Sequence, residues 1–148
     1  MVGVRALVQR VSSARVDVGD ETVGRIGAGL CVLIGVTHTD DAVLAGRLAE
    51  RIWHLRVFED RAGLANRSVE EVGGAVLVVS QFTLYADTRR GRRPSFVDAA
   101  RPEVAEPLVV ALADRLRDLG AQVATGRFRA EMRVELVNDG PFTLMLDV

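Results

Sequence analysis

Hydrophobic and polar positions along the chain fall into blocks of two different periods. From Val4 to Val18 apolar residues are interrupted by Gln9, Arg10, Ser12 and Ser13; a Gly19-Asp20 turn follows, and Glu21 to Ile26 resumes the pattern. This predicts two or three antiparallel strands. Gly27-Ala28-Gly29 lacks the third glycine and the following helix of a dinucleotide fingerprint, so it reads as a turn. Leu30 to Val36 is apolar at nearly every position, which predicts a strand covered on both faces in the middle of a sheet.

The period then changes. Leu44, Leu48, Ile52 and Leu55 recur at helical spacing after Asp40-Asp41, predicting an amphipathic helix capped by Thr39 or Asp40. Arg47, Glu50, Arg51 and His54 occupy its wet side, with Trp53 at one margin of the apolar stripe. A polar loop, Glu59 to Gly63, follows. Gly73-Gly74 leads into Ala75-Val76-Leu77-Val78-Val79, short and β-branched, which reads as a second buried strand. Pro102 opens another helix, with Val104, Leu108, Leu112, Leu116 and Leu119 on one face, Pro107 expected to kink its early turns and Gly120 as its stop. Phe128 to Leu136 alternates apolar and charged residues strictly, predicting a half-exposed strand. Asn138-Asp139-Gly140-Pro141 reads as the final turn, and Phe142 to Leu146 as the returning last strand. The fold expected is a single α+β domain over residues 1–148: a mostly antiparallel, barrel-like sheet covered by two helices.

Composition narrows the function classes. At 148 residues the chain is long enough to bury roughly two thirds of its unfolded surface without disulfides or metal. No apolar run approaches the ~20 residues that span a bilayer, so no membrane partner is expected. Met1 to Arg5 shows no secretory signal, and the one cysteine, Cys31, lies in an apolar strand; the expected compartment is the cytoplasm. All 19 basic residues are arginine, and Arg89, Arg90, Arg92 and Arg93 form the one dense cluster. Arginine forks pair with phosphate, although a charge run of this kind is ordinarily a solvated loop.

The familiar catalytic kits are missing. His38 and His54 lie on different predicted elements without a second ligand at metal spacing, so neither a metal nor another cofactor is expected. There is no Gly-x-Ser-x-Gly elbow. Ser80 or Thr83 would need a neighbouring base to act as a nucleophile, and the sequence supplies no obvious one. What remains is Ser80-Gln81-Phe82-Thr83, a set of polar groups at the end of a buried strand beside the arginine cluster, and the Gly140-Pro141 step. That step is the kind of bond at which a cis peptide costs only about 0.5–1 kcal/mol, although an ordinary turn has the same composition. From these residues alone, an esterase with a Ser80 or Thr83 nucleophile and a non-catalytic RNA-binding module both remain open.

Ser80-Gln81-Phe82-Thr83-Leu84 and Asn138-Asp139-Gly140-Pro141-Phe142-Thr143 resemble the two signature motifs of the D-aminoacyl-tRNA deacylases, which remove D-amino acids from mischarged tRNA. The similarity extends to Ala6 to Val11, Gly73-Gly74, Arg93 to Phe96 and Thr125 to Phe128. It implies a homodimer in which Gly140 and Pro141, as a Gly-cis-Pro dipeptide, enter the partner's active site. Their carbonyl oxygens would meet the substrate amino group and leave no room for an L side chain, while D-amino acids, and glycine mischarged on alanine tRNA, would fit. The resemblance assigns Arg10 to holding that dipeptide, with Asn138 in the same motif. It makes the Phe82 N–H a donor to the scissile carbonyl, gives Ser80 and Gln81 the terminal adenosine, and makes Thr83 a direct contributor. Catalysis would rely on the 2′-OH of the aminoacylated tRNA 3′ end, and Arg89, Arg90, Arg92 and Arg93 would contact tRNA phosphates. The chain departs from the common pattern at Leu64-Ala65, where many relatives have Lys-Met, and at Phe142, where valine is common.

Overall fold

A computed structural model describes residues 3–148. Met1 and Val2, part of the segment in which no signal was read, lie outside the described residues. The chain builds β1 (Arg5–Val18), β2 (Glu21–Ile26), β3 (Gly29–Gly35), α1 (Ala42–His54), the hairpin β4 (Phe58–Glu59) and β5 (Ala65–Arg67), and α2 (Val69–Val72). It continues through β6 (Ala75–Ser80), a 3-10 turn (Phe82–Tyr85), α3 (Pro102–Asp118), β7 (Gln122–Thr125) and β8 (Arg133–Asp147). The main sheet runs β2-β1-β3-β6-β7, with β8 paired to the other side of β1. β1 is antiparallel to each neighbour, whereas β3, β6 and β7 run parallel, so most pairings of the main sheet are antiparallel, as expected, and the sheet is mixed. β2 packs against β7, nearly closing the barrel.

Alternation along the strands separates two apolar clusters. Ala6 and Val8 of β1, Leu30, Val32 and Ile34 of β3, and Val76 and Val78 of β6 face α1 and α3. Val11, Ala14 and Val16, with Cys31, Leu77 and Val79, fill the barrel. Burial pushes the Cys31 thiol up to about 11, so it is an inert core group. β1 changes the face that its even-numbered residues present between Val11 and Ser13, where its register against β8 slips.

Several expectations are corrected. The cap of α1 is Asp41, whose carboxylate accepts from Leu44 N, because Asp40 turns back to accept from Thr37 N at 2.8 Å. Trp53 is buried rather than marginal. The buried stripe of α3 runs through Ala105, Val109, Leu112, Ala113 and Leu116, leaving Val104 exposed, and the helix continues through Pro107. Besides the two covering helices there is a third, α2, of one turn; its Ser68/Glu71 capping box was present in the sequence.

Two corrections bear on function. The alternating segment becomes a strand only at Arg133: before it, Arg127 to Ala130 form a turn closed by Ala130 N donating to Arg127 O. Nor does the chain reverse at Gly140-Pro141. Asn138 pairs with Val11 and Thr143 with Gln9, so residues 139–142 bulge opposite Arg10 alone and β8 continues in one direction.

Candidate active site

Ser80 ends β6, continuing the helix-facing row of Val76 and Val78, and Gln81 N donates to Ile34 O to keep the chain on the sheet. The 3-10 turn begins immediately. Leu84 N is satisfied by Gln81 O and Ala86 N by Thr83 O. At the other end of the turn, no hydrogen bond among the described residues uses the N–H of Phe82 or Thr83, as expected for the first donors of a helical turn. The Thr83 hydroxyl accepts from Gln81 Nε2, and neither Ser80 nor Thr83 has a histidine or carboxylate partner among the described residues. Nucleophilic activation of either hydroxyl therefore has no base here.

So short a turn needs outside support. Arg5 supplies part of it: its Nη1 donates to Leu84 O at 3.1 Å and its guanidinium lies 4.3 Å from the Tyr85 ring centroid. The Tyr85 hydroxyl donates to Gly3 O, and burial raises its pKa. Gly35 permits the packing, since a Cβ there would sit 2.9 Å from Leu84 Cβ.

Beside the turn lies a cleft of about 570 Å³, within the range of small-ligand sites, lined by Ser80, Gln81, Phe82, Phe96, Phe128, Arg129, Met132 and Val134 among others. Phe82 and Phe96 meet edge to face with centroids 5.2 Å apart. Phe96 belongs to the segment that carries the arginine loop. Asp87 and Ser95 exchange main-chain hydrogen bonds at its base, and Thr37 Oγ1 and His38 Nε2 hold the carbonyls of Asp98 and Val97, both at 2.6 Å. The arginines of the loop are not equivalent. Arg89 is forked onto Asp87 through Nε and Nη2 at 3.0 and 2.8 Å, whereas Arg90, Arg92 and Arg93 are exposed and have no side-chain partner among the described residues.

The second motif surrounds Arg10, which is only 7% exposed. Its Nε donates to Asp139 O at 2.8 Å, its Nη1 to Val57 O at 2.5 Å, and its guanidinium lies 5.2 Å from the Phe142 ring centroid. Asn138 Nδ2 bridges the carbonyls of Arg10 and Phe142 at 2.9 and 3.0 Å, closing the bulge from inside. Gly140 has φ +122, and a Cβ there would run into the Arg10 guanidinium. Gly140 and Pro141 themselves are exposed. The expected cis bond is absent: the described residues contain no cis peptide. Trans is the lower-energy isomer of an X-Pro bond, and the Arg10 and Asn138 contacts hold the bulge with it in place.

Within one chain the two motifs do not meet. Arg10 pairs with Leu30 and Leu30 with Val76, so the step from Val76 to Ser80 separates them by about 13 Å along the strands. The path from β8 across β1 and β3 to β6 adds about 14 Å across the sheet. Sequence reasoning missed Arg129, placed there on the wet face of a strand. It lines the cleft, and at φ 66 it is the one non-glycine residue with positive φ among those described. No local pattern marked it. The Leu64 side chain, in the departure after α1, is exposed on the tip of the β4-β5 hairpin, where Asp60 accepts from the N–H groups of Ala62 and Leu64. Among the described residues no three His, Cys, Asp or Glu side chains group as metal ligands, and no helix is long and apolar enough to cross a membrane.

Comparison with known proteins agrees with the motifs. The sequence model of the family described as D-Tyr-tRNA(Tyr) deacylase matches residues 7–147. A D-aminoacyl-tRNA deacylase of Symbiobacterium thermophilum is 62% identical over 144 residues, 97% of this chain and 95% of that protein. One of Roseiflexus is 61% identical over 97% of this chain and 93% of its own length. Among solved structures, one described as c-Myc DNA Unwinding Element Binding Protein superposes with a TM-score of 0.92 at 37% identity, covering 97% of this chain and 98% of that one. A structure described as a probable eukaryotic D-amino acid tRNA deacylase, at 19% identity and a TM-score of 0.83 over 98% of this chain and 99% of its own, shares the fold.

Proposed function

Because the chain belongs to the D-Tyr-tRNA(Tyr) deacylase family, we propose that it hydrolyses the ester linking a D-amino acid to the 3′ end of tRNA. The observation that carries this reading is the 3-10 turn at the end of β6, which offers the unpaired N–H groups of Phe82 and Thr83 beside a cleft with no nucleophile–base pair. Free main-chain donors suit the developing oxyanion of an ester already activated by its tRNA leaving group. With no protein base at hand, the 2′-OH of the terminal adenosine activates or orients the water, and the protein contributes position. Ser80 and Gln81 hold the adenosine, and Thr83, kept in place by Gln81, borders the reacting carbonyl.

Selectivity comes from Gly140 and Pro141 of a second copy of the chain. Their exposure, and their separation from Ser80 within one chain, support a homodimer in which each bulge, braced by Arg10 and Asn138, enters the partner's cleft. Main-chain carbonyls at that place receive the substrate amino group and exclude an L side chain, while glycine, on alanine tRNA, passes. Arg90, Arg92 and Arg93 are free to contact tRNA phosphates; Arg89, engaged by Asp87, mainly shapes the loop. A tRNA substrate supports a cytoplasmic location.

The test is release of tyrosine from D-Tyr-tRNA and L-Tyr-tRNA by the purified protein. Hydrolysis of the D-ester with the L-ester spared is expected. Equal turnover of both, or of neither, would overturn the reading, and binding of tRNA without hydrolysis would make the protein an RNA-binding module.

A further inference from the structure

Arg129 combines three features that its role in the fold does not explain. Its backbone is left-handed, at φ 66, a conformation that a side chain with a Cβ adopts at a cost and that glycine adopts freely. Its side chain makes no hydrogen bond or ion pair with the described residues, in contrast to Arg127 two positions earlier, whose Nη2 donates to both carboxylate oxygens of Glu21 at 3.0 and 3.1 Å. It is also the one charged residue among those lining the cleft; the remaining lining is apolar or aromatic apart from Ser80 and Gln81.

A left-handed backbone that sets an exposed, unpaired guanidinium at the rim of an otherwise uncharged cleft favours ligand binding over a stabilising role. The aromatic surfaces of Phe82, Phe96 and Phe128 suit a nucleobase, and a guanidinium at their side suits the anion covalently attached to that base's ribose. From this juxtaposition we propose that Arg129 binds the phosphodiester on the 5′ side of the terminal nucleoside, so that the cleft distinguishes an oligonucleotide end from a free nucleoside. The assignment rests on the proposed function for the identity of the substrate, but the contact itself is made to nucleic acid whether or not an acyl group is present.

Arg129→Gly separates this role from a structural one, because the two predict opposite effects. Removing the Cβ from a left-handed position raises the thermal unfolding midpoint, while removing the cation weakens binding of the unacylated trinucleotide CCA, whose phosphodiesters are anionic, by about 10- to 100-fold, the usual scale of a hydrogen bond to a charged group. Binding of adenosine, which has no phosphate, stays unchanged. Arg129→Lys keeps the charge and the strain, so it recovers much of the trinucleotide affinity without the gain in stability. In D-Tyr-tRNA hydrolysis the loss in Arg129→Gly falls on KM rather than kcat. Equal trinucleotide affinity in wild type and Arg129→Gly, or parallel weakening of adenosine and CCA, would overturn the proposal. If the wild-type protein hydrolyses no D-Tyr-tRNA, the functional reading fails, and the CCA and adenosine titrations still decide the role of Arg129.

Discussion

Arg10 donates its Nε proton to the main-chain carbonyl of Asp139 at 2.8 Å, joining β1 to the bulge that carries Gly140 and Pro141. The same guanidinium reaches Val57 O between α1 and β4, so one buried cation ties together a strand, the connection after a helix and the candidate selectivity element. Arg10→Ala leaves the buried Val57 carbonyl without its donor and is expected to destabilise the fold by about 2–3 kcal/mol. Deacylation of D-Tyr-tRNA falls further than the loss of folded protein accounts for. Arg10→Lys restores little, since an ammonium cannot span both carbonyls from one plane. Urea unfolding alongside single-turnover hydrolysis checks this, and a fully active, destabilised Arg10→Ala protein would reduce Arg10 to a structural residue.

Gly140 can accept no side chain without a local rearrangement, because φ is +122 and the Cβ position is occupied by the Arg10 guanidinium. Gly140→Ala is expected to cost about 1–3 kcal/mol in stability. It is also expected to displace the carbonyls proposed to set selectivity, at a scale where about 1 Å of misplacement costs about 100-fold in rate. Parallel assays on D-Tyr-tRNA and L-Tyr-tRNA measure the effect. Unchanged rates on both would remove the bulge from the active site.

The Asp87–Arg89 fork sets a pH expectation and a binding expectation. Hydrogen bonds from Arg89 pull the Asp87 carboxyl from the usual 3.8 to about 2. The folded-state value is depressed, so the contribution of this pair is complete above the usual value and is lost as pH falls through about 2; it does not vary between pH 5 and 8. Carboxyl carbon resonances followed against pH should show that midpoint in the folded protein. In tRNA binding, Arg90→Gln, Arg92→Gln and Arg93→Gln should each make the dependence of log K on log salt shallower by roughly 0.7–0.9. Arg89→Gln should change it little, and the reverse ranking would make Arg89 the phosphate contact.

Elements whose signal is local could be read directly from the residues. β3 and β6 are apolar on both faces because both faces are covered, and α1 carries its helical period within a single stretch. The polar end of β6 was also legible, since polar residues at the end of an apolar strand stand out against the free energy of burying them. Where a feature depends on contacts between distant segments, the sequence was silent or misleading. The alternation after Phe128 suits a strand, yet Arg127 to Ala130 close into a turn and leave Arg129 in the cleft. Gly140-Pro141 has the composition of a chain reversal, but both its flanks pair with β1, and the resulting bulge keeps β8 straight. These points required the three-dimensional contacts, because the direction of a strand and the exposure of a backbone donor follow from which partner takes each main-chain hydrogen bond, and those partners lie far away in sequence.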